Sequence, residues 1–211
     1  IVISNYLKDI VEKYAGKQPI LIKNPVDINF YKVIKPIESR KKHSVSLLYH
    51  TKEHKGVKYA LEALNALREK YPDLNVEMFG IFPAPVTLPS WIHYTKGATP
   101  EQVLEIYNAT AVYLCATVEE GYGLTGLEAM SCGTALVSTG YRGVYEYARS
   151  GENALLSPVK DVDALVRNIS MLFDNQEKRI LIAKAGVESV QKGFGWERAV
   201  DLFERALENG V

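Results

Sequence analysis

Apolar positions change their period along the chain, and the changes mark out its elements. From residue 20 to residue 173, short near-continuous apolar runs alternate with longer segments where apolar residues recur every three or four positions. The runs 45–49, 75–80, 92–94, 111–116, 135–138 and 153–156 predict strands, with a shorter one at 20–22. Runs apolar on both faces, as at 45–49, are what a parallel sheet covered on both sides requires. The spacing predicts a strong amphipathic helix over 57–71, with Ala60, Leu61, Leu64 and Leu67 on one face. Thr99 followed by Pro100 and Gln102 reads as a capped helix start, running to Tyr107. Further helices are expected at 124–132, at 144–149, from the cap Asp161 to 173, at 176–190 and at 194–207. The last carries the stripe Trp196, Val200, Phe203 and Leu207. At the start, Ser4 reads as the cap of an amphipathic helix to residue 14, closed by Gly16. The charged stretch 35–42 reads as an exposed hairpin or linker, and the proline-bearing stretch 81–90 as a loop. Alternating strands and helices imply an α/β fold, a doubly wound, Rossmann-like parallel sheet whose ligands bind off the carboxyl ends of the strands.

Composition narrows the functions open to such a domain. The 211 residues hold 25 basic and 25 acidic side chains, so no general field for a polyanion exists and nucleic acid is not expected as a partner. Cys115 and Cys132 fall in apolar surroundings and read as buried thiols of a reducing compartment rather than a disulfide. No apolar stretch approaches the roughly 20 residues of a membrane span. The histidines at 43, 50, 54 and 93 lack metal-ligand spacing, so no metal site is expected. Asp161-Val162-Asp163 opens a helix after Pro158, and N-capping accounts for it.

Candidate chemistry concentrates between Glu119 and Glu128. A strand runs in, a helix runs out, and Gly121, Gly123 and Gly126 lie between Glu120 and Glu128. A glycine turn opening a helix offers free backbone N–H groups and about half a positive charge, so it suits an anion. Glu128, about one turn into the helix, can accept hydrogen bonds from a sugar diol, while Glu120 projects from the strand end. Lys55, before Gly56 and the next predicted helix, is placed for a phosphate. The run 121–126 also spells Gly-x-Gly-x-x-Gly, a weak dinucleotide signal alone. A nicotinamide site expects it after the first strand, with an acid ending the next; here it lies mid-chain and the next strand runs into Ser138-Thr139-Gly140. A dehydrogenase is therefore the weakest of the alternatives.

Glu120 and Glu128, with seven residues between them, resemble the donor-site motif of retaining GT-B glycosyltransferases of the family 4 type, the glycosyl transferases group 1. The stretch from Glu128 to Gly140, the 140–146 segment, the turn Gly151-Glu152-Asn153 and Lys55-Gly56 resemble that family too. The resemblance implies that residues 1–211 form the C-terminal, nucleotide-sugar-binding lobe, with 1–16 the tail end of an N-terminal acceptor lobe. It implies that Glu128 binds ribose hydroxyls, Glu120 the transferred sugar, and the backbone of Gly123, Leu124 and Thr125 the diphosphate. Lys55 stabilises the leaving group, and the base is met by backbone around Gly97-Ala98. The implied substrate is a nucleoside-diphosphate sugar such as a UDP- or GDP-sugar, with no further cofactor and no metal. The implied setting is cytoplasmic, with peripheral membrane contact through the other lobe, and the lobe alone is expected to bind donor but not to turn it over. One departure stands out. The family usually carries Gly-Arg before the lysine, whereas here Leu48, Tyr49 and His50 occupy that place, leaving His50, Lys52 or Arg142 to supply charge. A non-catalytic module on the same fold, and an epimerase or phosphorylase, are the rival readings.

Overall fold

The computed structural model describes residues 1–208. Six strands, β1 (Ser44–Leu48), β2 (Asn75–Gly80), β3 (Ile92–Lys96), β4 (Val112–Cys115), β5 (Ala135–Thr139) and β6 (Leu155–Ser157), form one sheet in the order β3-β2-β1-β4-β5-β6. Every pairing is parallel. The doubly wound sheet expected from the sequence is therefore what forms. The order reverses between β1 and β4, which opens a crevice at the centre of the carboxyl edge.

Side chains alternate across this sheet and build a core on each face. Val112 and Leu114 of β4 join Val45, Leu47, Val76 and Met78 under α2 (Val57–Lys70) and α5 (Val162–Asp174). Tyr113 and Cys115 point to the other face, with Leu136 of β5, under α3 (Pro100–Ala109) and α4 (Leu124–Ser131). Leu64 and Leu67, two of the four residues expected on the buried face of α2, are completely enclosed. The helix α6 (Gln176–Gly193) closes the end of both layers, with Ile182 in one core and Val190 in the other.

The caps fall where side-chain chemistry puts them. Ser4 accepts from Leu7 N and opens α1 (Asn5–Ala15), which Gly16 ends in the left-handed conformation. Thr99 and Gln102 form a reciprocal capping box on α3. Asp161 accepts from Ala164 N at 2.9 Å, so its role is the cap that the sequence suggests. Both cysteines are buried free thiols. The last helix, α7 (Trp196–Glu208), leaves Trp196, Val200, Phe203 and Leu207 exposed.

Three expectations need correction. The stretch 35–42 is not an exposed hairpin or linker: it holds a 3-10 turn, Ile37–Ser39, and buries both Ile37 and Arg40. Arg40 donates to the carbonyls of Tyr107 at 2.8 Å and Cys132 at 2.5 Å, and to Thr134 Oγ1 at 3.1 Å. These carbonyls belong to the ends of α3 and α4, so one guanidinium satisfies the unpaired termini of two helices. Burial pulls the Arg40 pKa down to about 10, which leaves it charged at neutral pH. The run 144–149 is not a helix either; a 3-10 turn spans Arg142–Glu146. The glycine at 143 lets this turn lie against residues 121 and 122, closer than a regular helix with a side chain there could pack. Finally, residues 20–22 pair only as an isolated bridge, Val2 with Leu21, rather than as a strand of the sheet.

Candidate functional site

The crevice at the sheet centre is built by two neighbouring segments, one leaving β1 and one leaving β4. After β1 the chain makes a 3-10 turn, Glu53–Lys55, and enters α2 through Gly56 at φ 65°. A side chain at Gly56 would overlap the Ala116 carbonyl at the end of β4, so the two segments touch at backbone distance. The His54 carbonyl then accepts from Val118 N at 2.7 Å. These contacts deliver Lys55 to Glu120: Nζ to Oε1 is 2.6 Å, and the side chains are 20% and 25% exposed. Leu48, Thr117 and Thr125 line the same small cavity, of about 20 Å³, roughly the space of one water.

Beyond Glu120 the chain turns at Gly123, at φ 88°, into α4. No side chain caps this end, so the first N–H groups of α4 are left to serve a ligand. Two tyrosines support the turn from beneath. Tyr147 donates to the Gly123 carbonyl at 2.9 Å, and its hydroxyl also pairs with that of Tyr141 at 2.9 Å. A side chain at Gly123 would run into the Tyr141 hydroxyl. Gly143 N donates to the Glu120 carbonyl at 3.3 Å, fixing the loop after β5 to the same turn. Asn153 anchors that loop in turn, accepting from Arg149 N at 2.6 Å and donating to the Tyr147 carbonyl at 2.9 Å.

Glu128 stands on α4 in a different setting. It is half-buried and accepts from the Tyr107 hydroxyl at 3.2 Å. Burial raises its pKa, and the Tyr107 hydrogen bond works against that rise. The sign follows from linkage: the folded chain holds this proton more tightly than the unfolded one, so folding loses stability as pH rises through the carboxylate range. Glu128→Gln should therefore raise the melting temperature at pH 7. The gain should shrink in acid, where the wild-type side chain is protonated. Differential scanning calorimetry at pH 4 and pH 7 reads both, and equal shifts at the two values would contradict it.

The structure groups the sequence-derived residues unevenly. Lys55, Glu120 and Thr125 share one cavity, and Gly123 and Leu124 form the helix opening beside them. Glu128 is not among the residues lining that cavity; it sits further along the same helix, against α3. Tyr49 packs edge-on against Tyr94 at 5.6 Å, and His50 edge-on against Phe82 at 4.8 Å. His50 Nδ1 accepts from Lys52 N at 2.9 Å, and burial together with the charge of Lys55 lowers its pKa. Both effects favour the neutral imidazole. Arg142 lies 4.5 Å over the Tyr6 ring of α1. Ala98 follows Gly97, whose N–H bonds the Gly80 carbonyl at 2.6 Å and ties the β3–α3 turn to the end of β2. Sequence reasoning passed over Tyr141 and Tyr147. The signal was available: tyrosines six residues apart, downstream of glycines that need something flat beneath them.

A larger groove, of about 540 Å³, lies between residues 27–29 and α7, lined by Asp27, Trp196 and Arg198. None of Lys55, Glu120, Thr125 and Glu128 lines it. Among the described residues, no group of His, Cys, Asp and Glu side chains is placed to hold a metal, and no helix is long and apolar enough to cross a membrane.

Comparison with known proteins gives the geometry its context. The family described as Glycosyl transferases group 1 matches residues 31–188. D-inositol 3-phosphate glycosyltransferase of Corynebacterium urealyticum is 25% identical over 159 residues, covering 68% of this chain and 37% of its own length. Sucrose-phosphate synthase from Thermosynechococcus elongatus superposes with a TM-score of 0.82 at 18% identity, over 100% of this chain and 58% of that one. The pneumococcal O-GlcNAc transferase GtfA, solved with UDP and GlcNAc, superposes with a TM-score of 0.72 at 21% identity, over 97% and 42%. The chain thus spans less than half the length of that first relative. A family match over most of the sequence, carried on one lobe of the GT-B architecture, makes this chain a member of the glycosyl transferases group 1.

Proposed function

We propose that this chain is the donor-binding lobe of a retaining glycosyltransferase that moves a glycosyl group from a nucleoside-diphosphate sugar to an acceptor hydroxyl. One observation carries the reading. Lys55 and Glu120 meet beside an uncapped helix N-terminus, at the point where the strand order reverses. A cation, a carboxylate and free N–H groups in that arrangement suit a ligand that is a phosphate at one end and a polyol at the other. The backbone at Gly123, Leu124 and Thr125 takes the diphosphate, and Lys55 offsets the charge that builds on it as the sugar leaves. Glu120 orients the sugar, Glu128 takes the ribose hydroxyls, and the base lies near Ala98. Tyr49 and His50 supply an apolar, uncharged wall. No metal or cofactor enters this reading, and the acceptor site belongs to an N-terminal lobe. UDP bound to a structural neighbour, and the curated relatives' names, support it.

Calorimetry with UDP, GDP, ADP, CDP and TDP tests it. Binding of at least one of them is expected, and no heat from any at millimolar concentration, with a folded sample, contradicts it. The rival, a non-catalytic nucleotide-binding module, is favoured by Tyr49 and His50 standing in place of Gly-Arg. It predicts diphosphate binding that survives Lys55→Ala and Glu128→Ala together.

A further inference from the structure

The contact between Lys55 and Glu120 joins two groups that the proposed function assigns to different parts of one ligand. At 2.6 Å the pair commits an Nζ proton and Oε1 to each other, so neither group is wholly offered to a ligand while the pair is closed. A diphosphate that takes the charge of Lys55 therefore competes with Glu120 for it. What then becomes of Glu120 depends on what else the ligand carries. A sugar diphosphate brings hydroxyls that donate to the freed carboxylate, so both partners find replacements. A bare nucleoside diphosphate takes Lys55 and offers Glu120 nothing. It leaves a carboxylate that is only 25% exposed beside a ligand of more negative charge than the intact donor.

We propose that the Lys55–Glu120 pair discriminates the intact donor from the spent nucleoside diphosphate and so promotes product release. The inference rests on the donor-binding reading above and adds a specificity that the reading does not require. Before transfer, the sugar holds Glu120 away from the lysine. Once the sugar has gone, Glu120 recaptures Lys55 and the diphosphate loses its cation. Of the neighbouring groups, His50 has its Nδ1 engaged by Lys52 N, and Arg142 lies against Tyr6.

The test compares UDP with UDP-glucose and UDP-N-acetylglucosamine, and GDP with GDP-mannose, by calorimetry on wild type and Glu120→Gln. Glutamine keeps the size and the capacity to meet hydroxyls but cannot hold the lysine as an ion pair. Glu120→Gln should tighten nucleoside-diphosphate binding by about twofold to fivefold, the scale of a partly exposed ion pair. It should not tighten the matching nucleotide sugar, so the preference for donor over product falls. In a Lys55→Met background, the same change should tighten diphosphate binding clearly less, because only the repulsion between carboxylate and phosphate is then relieved. Where Glu120→Gln fails to fold, Glu120→Asp serves, since its shorter reach loosens the contact and should shift diphosphate affinity in the same direction. Unchanged or weaker diphosphate binding in the folded variant overturns the proposal and leaves donor binding standing. Absence of binding to wild type by every ligand removes the donor-binding reading itself, and this inference with it.

Discussion

On the donor-binding reading, Lys55→Ala in a protein that carries both the donor and the acceptor lobe is expected to lower the turnover number by about a hundredfold to a thousandfold, the cost typical of removing one preorganised group that stabilises developing charge. The side chain is 20% exposed and its ammonium meets Glu120 at 2.6 Å. Its position is set by backbone: the turn Glu53–Lys55, the left-handed Gly56 and the His54 carbonyl on Val118 N all survive the substitution. The fold should accordingly persist, with a melting temperature close to that of wild type. The Michaelis constant should rise less than turnover falls, because the charge on the leaving diphosphate grows in the transition state. Lys55→Arg should recover only part of the loss, since a guanidinium places its charge differently. Steady-state kinetics on the three proteins check this. Turnover within threefold of wild type for Lys55→Ala would remove the lysine from the chemistry.

Gly56→Ala should destabilise the protein by about 2–5 kcal/mol. Left-handed backbone at φ 65° costs a non-glycine residue roughly 1–2 kcal/mol. The new methyl group must also displace the Ala116 carbonyl, which belongs to the backbone and cannot swing aside; overpacking of that kind adds about 1–3 kcal/mol. For a domain of this size, each kcal/mol lowers the melting temperature by about 2–4 °C. Gly97→Ala is the matched control. Gly97 has φ 64°, but a side chain there meets no atom within 4 Å. It should lose only the backbone share, about 1–2 kcal/mol. Urea denaturation of the two variants separates strain from collision. Equal losses would mean that β1 and β4 loops do not approach as described.

Much of this was legible in the sequence because local rules and the fold agree. The parallel strands announced themselves as apolar runs, and Ser4, Thr99 and Asp161 announced their helices by capping chemistry. Glu120, Lys55 and the glycine turn were legible because strand ends on this architecture face the crevice. What sequence could not convey was distance across the chain. Arg40 sits among lysines in a run that looks solvated, yet it caps two helices through carbonyls 67 and 92 residues further on. A buried guanidinium serving carbonyls leaves no trace in periodicity. Tyr141 and Tyr147 read as ordinary packing, because only the folded loop slides them beneath Gly123. The separation of Glu128 from the Lys55 cavity was likewise invisible. Spacing along a strand–turn–helix fixes which residues are near, but not which way a half-buried carboxylate leans, and here the Tyr107 hydroxyl holds it.

The central claim is spatial: a nucleoside diphosphate seats on the opening of α4, between the ends of β1 and β4. Amide-resolved NMR of the chain titrated with UDP, or with whichever diphosphate gives heat, tests it most directly. The account predicts the largest shifts at the N–H groups of Gly123, Leu124 and Thr125 and at Lys55 and Gly56. Shifts confined to the groove at Asp27, Trp196 and Arg198, with the α4 opening silent, would contradict it.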